Sequence, residues 1–513
     1  MSGRGQKRPR SSATSKPTPM PQELGYRYGV VFDLGSSGSR AHVFSWHQTD
    51  DSCLVLTRKV DSGKRGRLLP GMRDDVVAVP GSMSDLAPMT RDDGVAALKQ
   101  KPGVSSFAER PEEAGRSLEG LFRFVEEWVP REKRRDTPVF LFATAGLRVL
   151  ANKYGERIYD DDDEDVGALL EEDDEDYGRG RVARILASIR AFVREETEFS
   201  LEEDEQARVI TGEEEGYFDF LTVQQLLSAS AGTARLQVGG DLPLWQQPRL
   251  VEDDHTIRGC PYFSVGVIDL GGASTQVSYV GPFAPPARLM LPGPAATEYL
   301  HVSRRVYTHS FLDYGIHRAH DRYVEHMTAV RELVDPCTPV GLRGGAGELE
   351  GSGDTERCEA LVAWLFLHAP GECHPGEVAG LCAMREVQRP KPRTGTRFMV
   401  FDHGYRVASF LGLTGTPKIA SLRTAAAAYI SSDVGSIRAA HPGEDDDALG
   451  LYGFESMYLY YLLHEGYGFD DSSEDAVFAE TLGNVPLDWS LGAMVSEASE
   501  RCLRRKPPLA QED

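Results

Sequence analysis

The chain is 513 residues long, 41% apolar and 26% charged, with a formal net charge of −23. That length exceeds what one hydrophobic core serves, so two lobes or more are expected, and the composition is that of a globular protein. The acidic balance argues against general nucleic-acid binding, no stretch approaches the ~18 apolar residues of a membrane span, and the N-terminus lacks the apolar core of a signal peptide.

Residues 1–24 carry Arg4, Lys7, Arg8, Arg10 and Lys16 among Ser, Gly and Pro, which predicts a disordered basic tail. Tyr26 to Trp46 then reads as a β-hairpin bent around Asp33-Leu34-Gly35-Ser36-Ser37-Gly38-Ser39-Arg40. Residues 61–100 show no periodicity and read as a surface excursion. Pro111 to Trp128 places Leu118, Leu121, Phe122, Val125 and Trp128 on one helical face. Pro138-Val139-Phe140-Leu141-Phe142 is a buried strand that runs into Ala143-Thr144-Ala145-Gly146-Leu147-Arg148.

Twelve acidic residues fall between Asp160 and Asp176, so the balance without them is −23 + 12 = −11. A run of that kind stays solvated, and an insert at about 158–178 is expected to be disordered. Val182 to Phe199 is helical by spacing. Val209-Ile210-Thr211-Gly212 is a short strand leading into Glu213-Glu214-Glu215-Gly216 and a helix through Leu227. Val267-Ile268-Asp269-Leu270-Gly271-Gly272-Ala273-Ser274-Thr275-Gln276 repeats the first hairpin's recipe: a β-branched run, an aspartate, and a turn of glycine and hydroxyl residues. Strands alternating with helices predict an α/β protein.

The seven cysteines are Cys53, Cys260, Cys337, Cys358, Cys373, Cys382 and Cys502. Four cluster between Cys337 and Cys382 without a C-x-x-C, which leaves two local disulfides or reduced buried thiols. Neither of the two asparagines, Asn152 and Asn484, begins a glycosylation sequon.

The polar strand ends carry the chemistry. Glycine lets backbone approach a ligand closely, successive N–H groups form an anion-binding concavity, and an aspartate at a strand end can hold a hydrated divalent cation. Two such turns facing each other would grip a nucleotide's phosphates from both sides. P-loop, zincin and serine-hydrolase motifs are all missing from the sequence. Arg148 is open between a bidentate phosphate contact and a surface ion pair. Glu213, Glu214 and Glu215 are open between capping a helix start and deprotonating an attacking water.

In this order the segments resemble the five signature regions of the nucleoside triphosphate diphosphohydrolase (apyrase) family. The first is similar to Asp33 through Arg40, the second to Ala143 through Arg148, and the third to Ile210-Thr211-Gly212-x-x-Glu215-Gly216-Tyr217. The fourth is similar to Asp269 through Gln276, and the fifth to Trp489-Ser490-Leu491-Gly492-Ala493-Met494. The likeness spans about residues 27 to 500. Departures include Leu34 and Ser39 in the first region, and Phe220 with Gln224 and Gln225 where the third region continues.

The resemblance implies two RNase H-like lobes of the actin, sugar-kinase and heat-shock ATPase superfamily, with the active site between them. Lobe I would comprise residues 25–211 with a return at 478–505, and lobe II residues 212–477 with a cysteine-rich region at 337–382. It implies Glu215 as catalytic base, with Ser274 and Gln276 orienting the water. Phosphate contacts would come from Gly35, Ser36, Ser37, Gly38, Ser39 and Arg40, from Thr144, Ala145 and Arg148, and from Gly271, Gly272 and Ala273. Asp33 and Asp269 would hold a hydrated Ca2+ or Mg2+, and Tyr405 and Tyr458 would stack the base. Cys337–Cys358 and Cys373–Cys382 would be disulfides, and the compartment would be the secretory lumen or the cell exterior. Two activities follow from the resemblance: hydrolysis of terminal phosphates from nucleoside tri- or diphosphates, or a nucleotide-binding regulatory protein of the same fold with weak or no catalysis.

Overall fold

The computed structural model of the chain describes residues 26–47, 97–156, 180–230, 265–281, 305–344, 349–367, 395–482 and 485–505, with short stretches at 55–56, 77–78, 87–91, 94–95, 382–384, 387–388 and 392. The expected basic tail, the expected acidic insert and Cys373 of the second expected bridge lie outside the described residues.

Strands β1 (Tyr26–Leu34) and β2 (Ser39–His47) form the first hairpin, with Asp33 opposite Arg40 and Leu34 opposite Ser39. Two short strands, β3 (Ala87–Pro88) and β4 (Ala97–Gln100), pair antiparallel along the far edge of β2. On the other side of β1 lie β5 (Val139–Ala143) and then β6 (Ala207–Val209), both parallel to it. The second sheet repeats the plan. Strands β7 (Val265–Leu270) and β8 (Ser274–Gly281) form the hairpin, and β9 (Arg305–Leu312) pairs antiparallel with β8. Strands β10 (Arg397–Asp402) and β11 (Ala476–Phe478) continue in parallel from β7. Each sheet therefore runs third, second, first, fourth, fifth in chain order, counting β3 and β4 as one position. The shared order marks two copies of one architectural unit.

The helices in chain order are α1 (Glu119–Trp128), α2 (Ala145–Tyr154), α3 (Arg181–Glu196), α4 (Gly212–Ser230), α5 (Ile316–Ala329), α6 (Thr355–Leu367), α7 (His403–Phe410), α8 (Ile419–Ile430), α9 (Val434–Ala440), α10 (Asp446–Tyr461) and α11 (Trp489–Arg505). Strand periodicity decides what they cover. Successive residues point to opposite faces. Val30, Phe32 and Leu34 accordingly pack with Leu121, Val125 and Ile189 of α1 and α3. Ile268 and Leu270 pack with Tyr323, Leu361 and Phe454 of α5, α6 and α10.

The opposite faces meet a shared core. Val31, Val265 and Val267 join Tyr217 and Phe218 of α4 and Trp489 and Met494 of α11. Asp33 has the parity of Val31, and Asp269 that of Val267. Both aspartates thus belong to the side that turns toward the other sheet, with α4 between the two.

Two elements differ from the sequence expectation. The segment from Pro111 becomes α-helical only at Glu119, after single 3-10 turns at Pro111–Glu113 and Arg116–Leu118. The reason is Gly115, whose amide donates to Ser188 Oγ at 3.0 Å, and where a Cβ would fall 2.3 Å from the Ser188 carbonyl oxygen. The supposed excursion at 61–100 ends in β4. Its residues alternate poorly because backbone pairing with Ser39–His42, rather than side-chain burial, holds them.

Candidate active site

Helix α4 carries three glutamates in its first turn, and the structure gives each a different task. Glu214 accepts from the Thr211 amide at 2.8 Å and from Arg208 Nη1 at 2.7 Å, while its own amide donates to Thr211 Oγ1 at 3.0 Å. This is a helix cap in the ordinary sense. Glu213 lies 3.4 Å from His309 Nδ1 at the rim. Glu215 is buried between the two sheets, 7% exposed.

Residues from distant parts of the chain converge on Glu215. Arg148, in the first turn of α2, donates through Nη2 to Glu215 Oε2 at 2.6 Å and to Ser274 Oγ at 3.3 Å, and through Nη1 to the Ile210 carbonyl at 2.9 Å. Gln276 donates through Nε2 to the same Glu215 oxygen at 2.9 Å, to Ser274 Oγ at 2.8 Å and to Ser310 Oγ at 3.1 Å. The Glu215 carboxylate oxygen can only accept from it, which assigns the atom as the amide nitrogen, so Oε1 is the acceptor, and it is buried with no partner in the protein. Burial pushes the Glu215 carboxyl above its usual range, and the Arg148 guanidinium restrains the rise.

The two glycine turns flank this network. In the first, Ser36 and Ser37 are exposed while Gly38 and Ser39 are buried. The Thr144–Arg148 segment presses against it: a Cβ on Gly146 would fall 2.8 Å from Ser36 Cα, so only glycine lets α2 start this close to the turn. Thr144 and Ala145 are buried there. In the second turn, Gly271 donates to the Ser274 carbonyl at 3.0 Å, and the carbonyls of Gly271 and Gly272 accept from the amides of Ile316 and His317. Helix α5 thereby fastens Gly271, Gly272 and Ala273 from behind.

Asp33 is buried at the end of β1 and accepts from Arg40 Nη1 at 2.8 Å through Oδ2. Arg40, expected on phosphate, thus rests on Asp33. Burial raises the Asp33 carboxyl, and Arg40 offsets part of the rise. Asp269 is equally buried, and its Oδ1 has no protein partner. Burial pushes it well above the carboxylate range, and Asp402, Glu215 and Asp33 push it further.

Tyr405, in α7, is half-buried beside the core of the second sheet. Tyr458 is a correction. It is fully buried, its hydroxyl donates to the Tyr314 carbonyl at 2.7 Å, and it packs against Phe366 and Phe454, so no face is left for a base. Helix α10 is exposed at its first turn but buried on all sides from Tyr452 to Tyr460, so Tyr458 belongs to the core rather than to the base-stacking position that the resemblance implied.

Two features escaped the sequence. Asp219, one helical turn beyond Glu215, is fully buried with both carboxylate oxygens unpartnered. Its signal was present as the one charge in Tyr217-Phe218-Asp219-Phe220-Leu221. His317 and His403 have ring centroids 5.1 Å apart, and His317 stands against Gly272. Burial, His403 and Arg406 hold the His317 imidazole down to about 4, so it is neutral at physiological pH.

Paired sheets of identical strand order, each tipped by an Asp-Gly turn aimed at the space between them, define a two-lobed α/β protein of the actin, sugar-kinase and heat-shock ATPase type. The sequence pattern of the GDA1/CD39 (nucleoside phosphatase) family matches residues 20–171 and 178–509, and the chain belongs to that family. It is accordingly a nucleoside phosphate hydrolase. The chain is 26% identical over 501 residues to probable apyrase 6 of Arabidopsis thaliana, covering 92% of this chain and 72% of that protein. It is 25% identical over 497 residues to ectonucleoside triphosphate diphosphohydrolase 8 of Bos taurus, covering 92% and 82%. Among solved structures, a nucleoside triphosphate hydrolase from Neospora caninum aligns over 93% of each chain at 16% identity with a TM-score of 0.49. Among the described residues no helix is long and apolar enough to cross a membrane.

Proposed function

We propose that the chain removes the terminal phosphate of nucleoside tri- or diphosphates by attack of a water that Glu215 deprotonates. The observation that carries this is the convergence of Arg148, Ser274 and Gln276, from distant parts of the chain, on the buried Glu215 carboxylate. Glu215 uses Oε2 on Arg148 and Gln276, and Gln276 Oε1 is buried without a donor. A water placed there donates one hydrogen to Gln276 and the other to Glu215. Ser274 Oγ already accepts from Gln276 and Arg148, so its own hydrogen is directed outward as a third contact. A positioned carboxylate base contributes about 10²–10⁴-fold in rate.

The remaining parts serve the phosphate chain. The turns at Gly35–Ser39 and Gly271–Ala273 offer backbone N–H groups from opposite lobes, Gly271 itself closing its turn by donating to Ser274, and Thr144 and Ala145 close the first loop from α2. Arg148 balances charge beside the base, and Tyr405 borders the position of the nucleobase.

The donor set fits a hydrated divalent cation, Ca2+ or Mg2+. Carboxylate oxygens suit hard cations that keep several waters, and Asp269 Oδ1 is a buried acceptor with no partner in the protein. Asp33, with one oxygen on Arg40, keeps Oδ1 for the same role. When bound, such a cation neutralises charge on the phosphate oxygens.

Phosphate release from ATP, ADP, GDP and UDP, each with CaCl2 or MgCl2, tests the assignment on the full chain and on Glu215→Gln. The expected result is turnover in the parent and a loss of about 10²–10⁴-fold in the variant, with nucleotide binding retained. A fully active variant would remove Glu215 from the mechanism. A parent inactive on every substrate would favour the nucleotide-binding regulatory alternative.

A further inference from the structure

The first glycine turn is clasped from outside by a segment that the signature regions do not include. Strand β4 pairs with β2 so that Gln100 stands opposite Ser39 and Lys99 opposite Arg40, and Arg40 in turn stands opposite Asp33 on β1. Cross-strand partners share a face of the sheet, and successive residues alternate between faces. Gln100 points to the α1 side, where Nε2 donates to the Ser117 carbonyl at 2.5 Å. Lys99 therefore points to the opposite side, in one row with Arg40 and Asp33, the side that turns toward the other sheet. Its stem agrees with that direction. A Cβ on Gly38 would fall 3.1 Å from Lys99 Cε and 2.9 Å from the Gln100 carbonyl oxygen, so the end of the lysine lies along the turn itself.

The charges around the turn leave this lysine over. Both arginines of the signature regions are already committed: Arg40 rests on Asp33, and Arg148 on Glu215, Ser274 and the Ile210 carbonyl. Lys99 is exposed, and among the described residues no carboxylate lies within ion-pair distance of it. Its cross-strand neighbour is instead the like-charged Arg40, an arrangement that costs stability in a sheet. Partial burial and Arg40 lower the Lys99 ammonium from its ordinary range, the direction expected of a cation without its counter-ion. A nucleoside triphosphate brings several negative charges to this turn, and an ammonium already lying along Gly38 answers them at little cost in reorganisation.

We infer that Lys99 is a substrate-binding residue whose ammonium pairs with the phosphate chain of the nucleotide from the edge of the Gly35–Ser39 turn. This rests on the phosphate-binding reading of that turn and extends it to β4. The contact is with phosphate oxygens, so it serves every base alike. It holds the chain on the first lobe and takes no part in the proton transfer at Glu215.

The test is steady-state hydrolysis of ATP, GTP and UTP with MgCl2 by the full chain, by Lys99→Gln and by Lys99→Arg, at low and at raised NaCl, with inorganic tripolyphosphate as competitor. Lys99→Gln is expected to raise KM about tenfold, the scale of one hydrogen bond to a charged group, and by the same factor for all three nucleotides. Inhibition by tripolyphosphate should weaken in parallel while kcat stays close to that of the parent, the pattern of a contact made equally in ground and transition states. Lys99→Arg should restore most of the loss, and KM of Lys99→Gln should depend less on NaCl than that of the parent. Calorimetric titration of a non-hydrolysable ATP analogue reads the same loss as Kd. Thermal melting without nucleotide keeps a folding defect apart: relieved of the charge opposite Arg40, Lys99→Gln should melt no lower than the parent. A Lys99→Gln variant with the parent's KM, Kd and tripolyphosphate inhibition, or a KM change confined to one base, overturns the assignment of Lys99 and leaves the hydrolase standing. A parent that neither hydrolyses nor binds any of these nucleotides overturns both.

Discussion

Removing Arg148 exposes how Glu215 is held. Arg148→Met keeps the length of the side chain and deletes the charge that lies 2.6 Å from Glu215, where both side chains are 9% exposed. Solvent screening at such burial is slight, so the surface-pair discount does not apply. Taking away one partner of a buried pair costs about 3–5 kcal/mol, chiefly because an uncompensated carboxylate is left behind. The double variant Arg148→Met/Glu215→Gln leaves no such charge and should recover roughly 0.5–3 kcal/mol of the loss.

Urea unfolding followed by tryptophan fluorescence and by circular dichroism measures both, provided the two transitions coincide. The cost also carries a sign in pH. Without Arg148 the folded-state pKa of Glu215 rises further above its unfolded value, and a carboxyl so raised is least unfavourable when protonated. The penalty is therefore smallest in acid, grows as pH rises from the parent's folded-state pKa towards the variant's, and levels off above the latter. A penalty equal at about pH 5 and about pH 8, or a double variant no more stable than the single one, would show that the ion pair is not what holds Glu215.

Other outcomes follow from the same structure. In the parent, burial outweighs Arg148 and raises Glu215, so the acid limb of kcat/KM should lie above the ordinary glutamate range, and Arg148→Met should move it higher; a pH–rate profile of both decides. Cys337 and Cys358 form a buried disulfide across 21 residues of sequence, and Cys337→Ser should lower stability by about 2–4 kcal/mol while leaving KM near that of the parent. Tyr458→Phe loses the bond to the Tyr314 carbonyl and should cost about 1 kcal/mol with no change in the ranking of ATP, GTP and UTP; a shifted ranking would return Tyr458 to the base site.

The hairpins were readable in the sequence because each writes its structure locally. A β-branched run predicts the strand, the glycine turn predicts its end, and period-2 alternation carries Asp33 and Asp269 to the side of Val31 and Val267. What joins them was not readable. Arg148 meets Glu215 across 67 residues and Ser274 across 126, and no periodicity encodes such an encounter. Residue type alone left Arg148 open between phosphate and ion pair. The capping role of Glu214 came from Thr211 and Arg208, neither of which the triplet announces. Asp219 was visible as a charge among aromatics but had no motif to give it meaning. Tyr458 went astray for the reverse reason: Phe454-Glu455-Ser456-Met457-Tyr458-Leu459-Tyr460 has too little polar character for a cleft-lining helix, and that composition was the better guide.

The contacts around Glu215 come from three separate platforms: Arg148 from beside the first sheet, Glu215 from the intervening helix, Ser274 and Gln276 from the second sheet. The geometry of this cluster therefore depends on how the two sheets are held against each other, since the 3.3 Å link between Arg148 and Ser274 runs from one to the other and belongs to the internal pairing of neither.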